Sequence, residues 1–186
     1  MTNLDKANVT IDFFDKTNEK YIKNAAELLA NSFPQAYQDS ARAEMDEILG
    51  EERIAVMAVF DDMLVGFTGA IPQYGVTGWE LHPLIVKPDF RGQGIGARLV
   101  EKLEEAVAAR GGVVMYLGTD DEFGQTSLAG TDLFDDLYGK IQMIKNINRH
   151  PYEFYLKIGY KIVGVIPDAN GFGKPDILMA KRLVRK

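Results

Sequence analysis

The sequence predicts a mixed α/β domain with a largely antiparallel sheet flanked by helices, and three observations carry that expectation. First, the apolar run Leu84-Ile85-Val86 leads through Arg91-Gly92-Gln93-Gly94-Ile95-Gly96 into Ile95, Leu99, Leu103, Ala106 and Val107 at helical spacing. Gly111-Gly112 ends that helix, and a second apolar run over 113–117 reads as a strand. Second, apolar runs at 54–60 and 63–70 flank Asp61-Asp62, the pattern of a hairpin. Third, a short helix around Phe154-Tyr155 is followed by two strand-like segments, 161–166 and 176–180.

The remaining elements follow in chain order. Residues 9–13 alternate and predict a strand. Tyr21, Ile22, Ala25, Leu28 and Leu29 mark an amphipathic helix. It must stop before Pro34, because a proline pushes the residue ahead of it out of the helical region. Ser40 stands where it would cap a second helix reaching Leu49, with Gly50 as the end signal. Residues 79–86 form the strand entering the glycine loop. Residues 119–150 are long and initially acidic, and Leu133, Leu137, Ile141 and Ile144 in the second half have helical spacing. No repeat, low-complexity tract or linker divides the chain, so one domain over 1–186 is expected.

Composition bounds the function. The 186 residues suffice for a sizeable core, and 46% hydrophobic with 26% charged residues is ordinary globular usage. No run approaches the roughly 20 apolar residues of a membrane span, and no signal-peptide pattern opens the sequence. A cytoplasmic protein without a membrane partner is expected. With no cysteine and two histidines, disulfides are excluded and no metal site is expected. A net charge of −6 argues against nucleic acid and favours cationic small molecules.

The glycine loop sharpens this. Glycines let backbone approach a ligand without a Cβ in the way, and the first turn of a helix offers unpaired N–H groups at the positive end of its dipole. Together they suit a phosphate or pyrophosphate, with Arg91 adding charge. A P-loop would need Gly-Lys-Ser/Thr where Gly96-Ala97-Arg98 stands, so that reading fails. Gly92, Gly94, Ala97 and Asp120 match the spacing of a dinucleotide fingerprint. However, Lys87-Pro88-Asp89-Phe90-Arg91 separate the strand from the glycines, and the further strand–helix alternation of a doubly wound sheet is missing.

The Arg-x-x-Gly-x-Gly spacing of Arg91, Gly94 and Gly96 resembles the acetyl-CoA loop of the GNAT N-acetyltransferases. Phe154-Tyr155-Leu156-Lys157-Ile158-Gly159-Tyr160 is similar to the second element of that family, an aromatic pair on a helix that ends in Gly-aromatic. The resemblance narrows at Ala70-Ile71-Pro72-Gln73-Tyr74-Gly75, Gly78-Trp79-Glu80-Leu81-His82-Pro83-Leu84, Tyr116-Leu117-Gly118-Thr119-Asp120-Asp121 and His150-Pro151-Tyr152-Glu153-Phe154-Tyr155. These stretches, with Val163-Gly164-Val165 and Lys174-Pro175-Asp176, resemble the aminoglycoside 6'-N-acetyltransferases of Gram-positive bacteria. The likeness runs from about Arg53 onward. It implies a GNAT-like fold, acetyl-CoA as cosubstrate, an aminoglycoside or other polycationic amine as acceptor, and a homodimer.

Moving an acetyl group from a thioester to an amine requires a neutral amine, an oriented carbonyl and a departing thiolate. Alkyl ammonium groups have pKa values near ~10, so a base is needed. Glu80 is the candidate, since the resemblance places a carboxylate there. His82 lies two residues on and shares its strand face; it either positions a water or packs. The resemblance also implies that backbone at Leu84, Ile85 and Val86 binds the pantetheine arm, with an N–H there serving the oxyanion. Arg91, Gly92, Gln93, Gly94, Ile95, Gly96 and Ala97 would hold the diphosphate. Tyr155 is the candidate acid for the sulfur.

For the acceptor, Asp120 and Asp121 at a strand end offer charge-assisted hydrogen bonds to a polycation, whereas Glu122, Asp135 and Asp136 read as a solvated face. Tyr74 and Trp79 either wall the pocket or belong to the core. The resemblance breaks at Phe33-Pro34-Gln35-Ala36-Tyr37, where close relatives of this type carry a tryptophan and acidic residues. Two alternatives therefore stand beside the aminoglycoside reading. One is a GNAT enzyme acting on polyamines or basic protein amines. The other is a catalytically silent acetyl-CoA sensor, against which Glu80 and Tyr155 argue.

Overall fold

The computed structural model describes residues 8–184. They divide after Val113 into two compact units.

The first unit contains β1 (Thr10–Phe13), α1 (Glu19–Ser32), α2 (Pro34–Tyr37), α3 (Ala41–Ile48), β2 (Ile54–Phe60), β3 (Met63–Tyr74), β4 (Gly78–Val86) and α4 (Ile95–Ala109). The strands pair in sequence order, each antiparallel to the next. Asn18 caps α1 by accepting from the Tyr21 N–H, and Ile22, Ala25, Leu28 and Leu29 form its buried stripe. Pro34 does end α1, but it also opens the single turn of α2, which the sequence pattern did not predict. Proline suits a first helical position because its missing N–H would be unpaired there anyway. Ser40 occupies the N-cap of α3, yet its hydroxyl caps nothing and turns back toward the Ala36 carbonyl. The expected side-chain cap is therefore absent.

The hairpin forms where expected. Asp61 and Asp62 both take positive φ (45° and 60°), the geometry of the tight turn whose twist matches that of its strands. The Asp62 carboxylate also receives Lys20 and the Tyr21 hydroxyl of α1. Strand β3 continues four residues past the expected Ala70 and shifts register between Thr68 and Ala70. A Cβ on Gly69 would lie 2.7 Å from the His82 carbonyl, so the missing side chain allows β4 to approach there. Phe14, Leu29, Met45, Ile48, Phe67 and Ile85 make the core between sheet and helices. Helix α4 buries Ile95, Leu99, Val100, Leu103 and Val107, and Gly111 (φ 89°) terminates it in the left-handed conformation.

The second unit contains β5 (Val114–Asp120), α5 (Leu137–Gln142), α6 (Tyr152–Lys157), β6 (Lys161–Ile166) and β7 (Asp176–Arg182). Strand β7 is central, antiparallel to β5 on one side and β6 on the other. The helical spacing of Leu133, Leu137, Ile141 and Ile144 yields only the six residues of α5. Asp136, at a left-handed φ of 58°, starts that helix late, and beyond its end the chain is paired: Ser127 N–H reaches the Lys145 carbonyl, Ile147 N–H reaches that of Gln125, and Thr126 bridges to Asn146. No helix among the described residues is long and apolar enough to cross a membrane.

Candidate active site

In the first unit the site is built on β4, the glycine loop and the start of α4. After Val86, Lys87 donates its N–H to the Val65 carbonyl, and Pro88–Phe90 make one 3-10 turn. Arg91 then folds back, its Nε donating to the Val86 carbonyl at 2.9 Å, while Gln93 Nε2 donates to the Asp89 carbonyl at 3.1 Å. Both side chains thus brace the loop against the strand. Gly92 and Gly94 have φ of 73° and 79°, and the space that a Cβ would enter is empty at each. Gly94 is the N-cap of α4, so no side chain caps the helix, and no acidic residue lies in its first turn. The first N–H groups of α4 and its uncompensated dipole therefore fit an anion such as a diphosphate.

Two of the predicted binding residues have buried side chains, which leaves only their backbone to meet a ligand. Ile95 is 2% exposed and Ile85 is 3% exposed, and both belong to the core. Leu84 and Val86 are half-buried, as are Gly96 and Ala97 on α4. Leu84, Ile85 and Val86 pair with Thr68, Phe67 and Gly66 of β3 along one edge of the strand.

Glu80 and His82 lie on the half-buried face of β4, while Trp79, Leu81, Pro83 and Ile85 are buried. The Gln73 side chain donates to Glu80 Oε2 at 2.7 Å, fixing the carboxylate through one oxygen. His82 Nε2 lies 3.2 Å from the Tyr37 hydroxyl and 3.4 Å from Glu44 Oε1. The segment where the family likeness breaks down therefore reaches this face of β4 through Tyr37. Sequence pattern does not reveal Gln73, Tyr37 and Glu44, because each lies in a separate segment and has no motif of its own.

Trp79 requires a correction. It is 3% exposed, its indole N–H is bonded to the Val76 carbonyl at 2.9 Å, and its ring lies 3.1 Å from where a Cβ on Gly112 would stand. It is a core residue rather than a pocket wall. Tyr74, at the end of β3, is 71% exposed.

In the second unit, Asp120 is the last residue of β5 and is exposed. Its Oδ1 accepts from Asn170 Nδ2 at 2.6 Å, and Asp176 of β7 stands directly opposite. Like charges facing each other across a sheet are unfavourable. Asp121 is placed differently. It is fully buried and accepts from the Gln125 N–H, the Thr126 N–H and the Thr126 hydroxyl at 2.6–2.8 Å. The expected Asp120-Asp121 pair is thus one surface acid and one loop brace.

Tyr155, on α6, is 8% exposed and packs edge-to-face on Phe154 and Tyr160. Burial drives its phenol well above the ordinary value of 10. Burial therefore favours the neutral phenol, whose hydroxyl can donate a hydrogen bond. Among the described residues, no group of three or more His, Asp or Glu side chains is placed to hold a metal ion.

Residues 22–129 match the acetyltransferase (GNAT) family model. An aminoglycoside 6'-N-acetyltransferase solved in complex with coenzyme A is 52% identical, aligned over 95% of this chain and 98% of that one, with a TM-score of 0.94. The aminoglycoside 6'-N-acetyltransferase from Enterococcus faecium is also 52% identical over the same shares, with a TM-score of 0.92. Aminoglycoside 6'-acetyltransferase type Ii is 47% identical over 95% of this chain and 99% of that one, with a TM-score of 0.78. No curated protein matches the chain.

Proposed function

Because the chain belongs to the acetyltransferase (GNAT) family, we propose that it moves the acetyl group of acetyl-CoA to the 6'-amine of aminoglycoside antibiotics, and so confers resistance to them. The observation that carries this reading is near full-length similarity, at 47–52% identity, to three solved enzymes named for that reaction. The loop at Gly92 and Gly94 with the start of α4 binds the diphosphate. Backbone at Leu84, Ile85 and Val86 aligns the thioester arm and supplies an N–H to the developing oxyanion.

Each proton has a defined route. Glu80, steadied by Gln73, takes the proton of the acceptor ammonium through water, leaving the amine lone pair free to attack the thioester carbonyl. The C–N bond forms and the C–S bond breaks. The nitrogen passes its second proton through water to the Tyr155 oxygen as the Tyr155 hydroxyl gives its own to the departing sulfur, so the phenol is restored and the free phenolate that burial disfavours is never formed. Asp120 holds the polycationic acceptor. The enzyme works in the cytoplasm as a homodimer in this reading, supported by the family resemblance; sedimentation as a monomer at assay concentrations would remove the dimer.

The direct test is release of free thiol from acetyl-CoA with kanamycin, spermidine and basic peptides as acceptors. Turnover of kanamycin is expected, and turnover of spermidine alone would replace the drug by a polyamine. Tyr155→Phe deletes one hydroxyl. Because a thiol is already a tolerable leaving group at pKa near ~8.5, the rate should fall only about ten- to hundred-fold. An unchanged rate would leave Tyr155 as a packing residue. Asp120→Asn should raise the KM for kanamycin and hardly move that for acetyl-CoA, since the lost ion pair acts in ground and transition states alike. Salt should weaken acceptor binding in the wild type for the same electrostatic reason.

A further inference from the structure

His150 takes no part in the chemistry above, yet it is 2% exposed and fully engaged. Its Nε2 lies 3.1 Å from the Asp120 carbonyl, which has only lone pairs to offer, so Nε2 carries the proton. Its Nδ1 accepts the N–H of Tyr152, the first residue of α6, at 3.2 Å and therefore carries none. The imidazole is held as one neutral tautomer. Its own backbone is fixed on both sides by Asn146, whose side chain donates to the His150 carbonyl at 2.9 Å and accepts its N–H at 2.8 Å. The Tyr152 ring stacks beside it with centroids 5.6 Å apart.

We infer that His150 is a positioning residue for acetyl transfer, a neutral strut that fixes the end of β5 at Asp120 and the start of the helix carrying Tyr155 at the same time. The inference rests on the roles proposed above for those two residues. One donor and one acceptor on a rigid ring set the position of the acceptor-binding carboxylate and of the proton donor for the sulfur. Protonation would break the arrangement, because an imidazolium has no lone pair for the Tyr152 N–H. The charged groups facing the ring, Asp120 and Asp121, favour protonation, and burial opposes it more strongly, so its pKa lies below the ordinary 6.5.

The two amide side chains separate the two arms. In His150→Asn the amide oxygen falls near the Nδ1 position, keeping the Tyr152 contact and losing the one to Asp120. In His150→Gln the amide nitrogen reaches the Nε2 position, keeping Asp120 and losing Tyr152. With acetyl-CoA and kanamycin, the Asn variant should show an acceptor KM about three- to tenfold higher at nearly unchanged kcat, as expected for one lost hydrogen bond. The Gln variant should show the reverse, a lowered kcat at nearly unchanged KM. Wild-type kinetics in both, or equal losses of kcat and KM in both, would overturn the inference.

A reading independent of variants is the imidazole 15N spectrum of the full-length protein, which has only two histidines. His150 should show the Nε2–H tautomer and remain neutral below pH 6.5. An Nδ1–H tautomer, or titration at the free value, would overturn the proposal. Linkage gives the sign for stability: the unfolded chain binds the proton at 6.5 and the folded chain only below it. The stabilising contribution of His150 should be complete above pH 6.5 and be lost as the pH falls through its lower folded value, and the Gln variant should lack that component. Asp120→Asn is measured alongside. If it leaves the kanamycin KM intact while His150→Asn raises it, the fault lies with the Asp120 assignment and not with His150.

Discussion

Replacing Glu80 by glutamine is expected to lower kcat for kanamycin acetylation by roughly 10²- to 10⁴-fold, the range of a lost general base, while acetyl-CoA binding stays at wild type. The substitution isolates charge from shape. Gln73 donates to Glu80 Oε2 at 2.7 Å, and an amide oxygen at the same place still accepts that bond. What disappears is the ability to take a proton from an ammonium group. The deficit should shrink as pH rises, because more of the acceptor is then already neutral. A pH–rate profile parallel to that of the wild type would remove Glu80 from proton transfer. Calorimetric titration with acetyl-CoA reads the binding side of the same experiment.

The second large effect is expected at Gly94. Its φ of 79° lies where a β-branched residue is strained, and it is the N-cap whose bare backbone opens α4 toward the ligand. Gly94→Val should cost on the order of 1–2 kcal/mol of folding stability from the left-handed backbone alone and reduce acetyl-CoA affinity more than tenfold. Gly96→Val is the control that separates the two causes. Gly96 lies within α4, where a side chain meets no conformational penalty of that kind, so the fold should hold while binding falls. Thermal unfolding and acetyl-CoA titration of both variants measure the two effects separately. Wild-type affinity in both folded variants would mean that the diphosphate does not lie against this loop.

Part of this site is legible in the chain itself. The β4–glycine loop–α4 unit, the hairpin at Asp61-Asp62, the Gly111 stop and the two closing strands all depend on neighbours within a few residues. Apolar period, left-handed glycine and turn chemistry are therefore sufficient to locate them. The same locality explains the errors. Ser40 sits at a helix start but does not cap it, because its hydroxyl turns toward Ala36. The helical period of residues 133–144 is cut to α5 by the left-handed Asp136 at its start, and the chain beyond it is taken up by hydrogen bonds between residues 145–148 and 125–127, which no periodicity encodes.

Sequence by itself determined where the glycine loop begins and ends, that Glu80 and His82 share a strand face, and that Tyr155 lies on a short helix before Gly159. Tertiary structure alone decided what those residues touch. It sent Trp79 into the core, made Asp121 a loop brace, and joined Tyr37 to His82, His150 to Asp120 and Asn170 to Asp120 across 45, 30 and 50 residues. Period and propensity act over one or two turns of chain. Burial and hydrogen-bond partners depend instead on which distant segments the packed core brings together, and at those distances a side chain's neighbours are set by the fold.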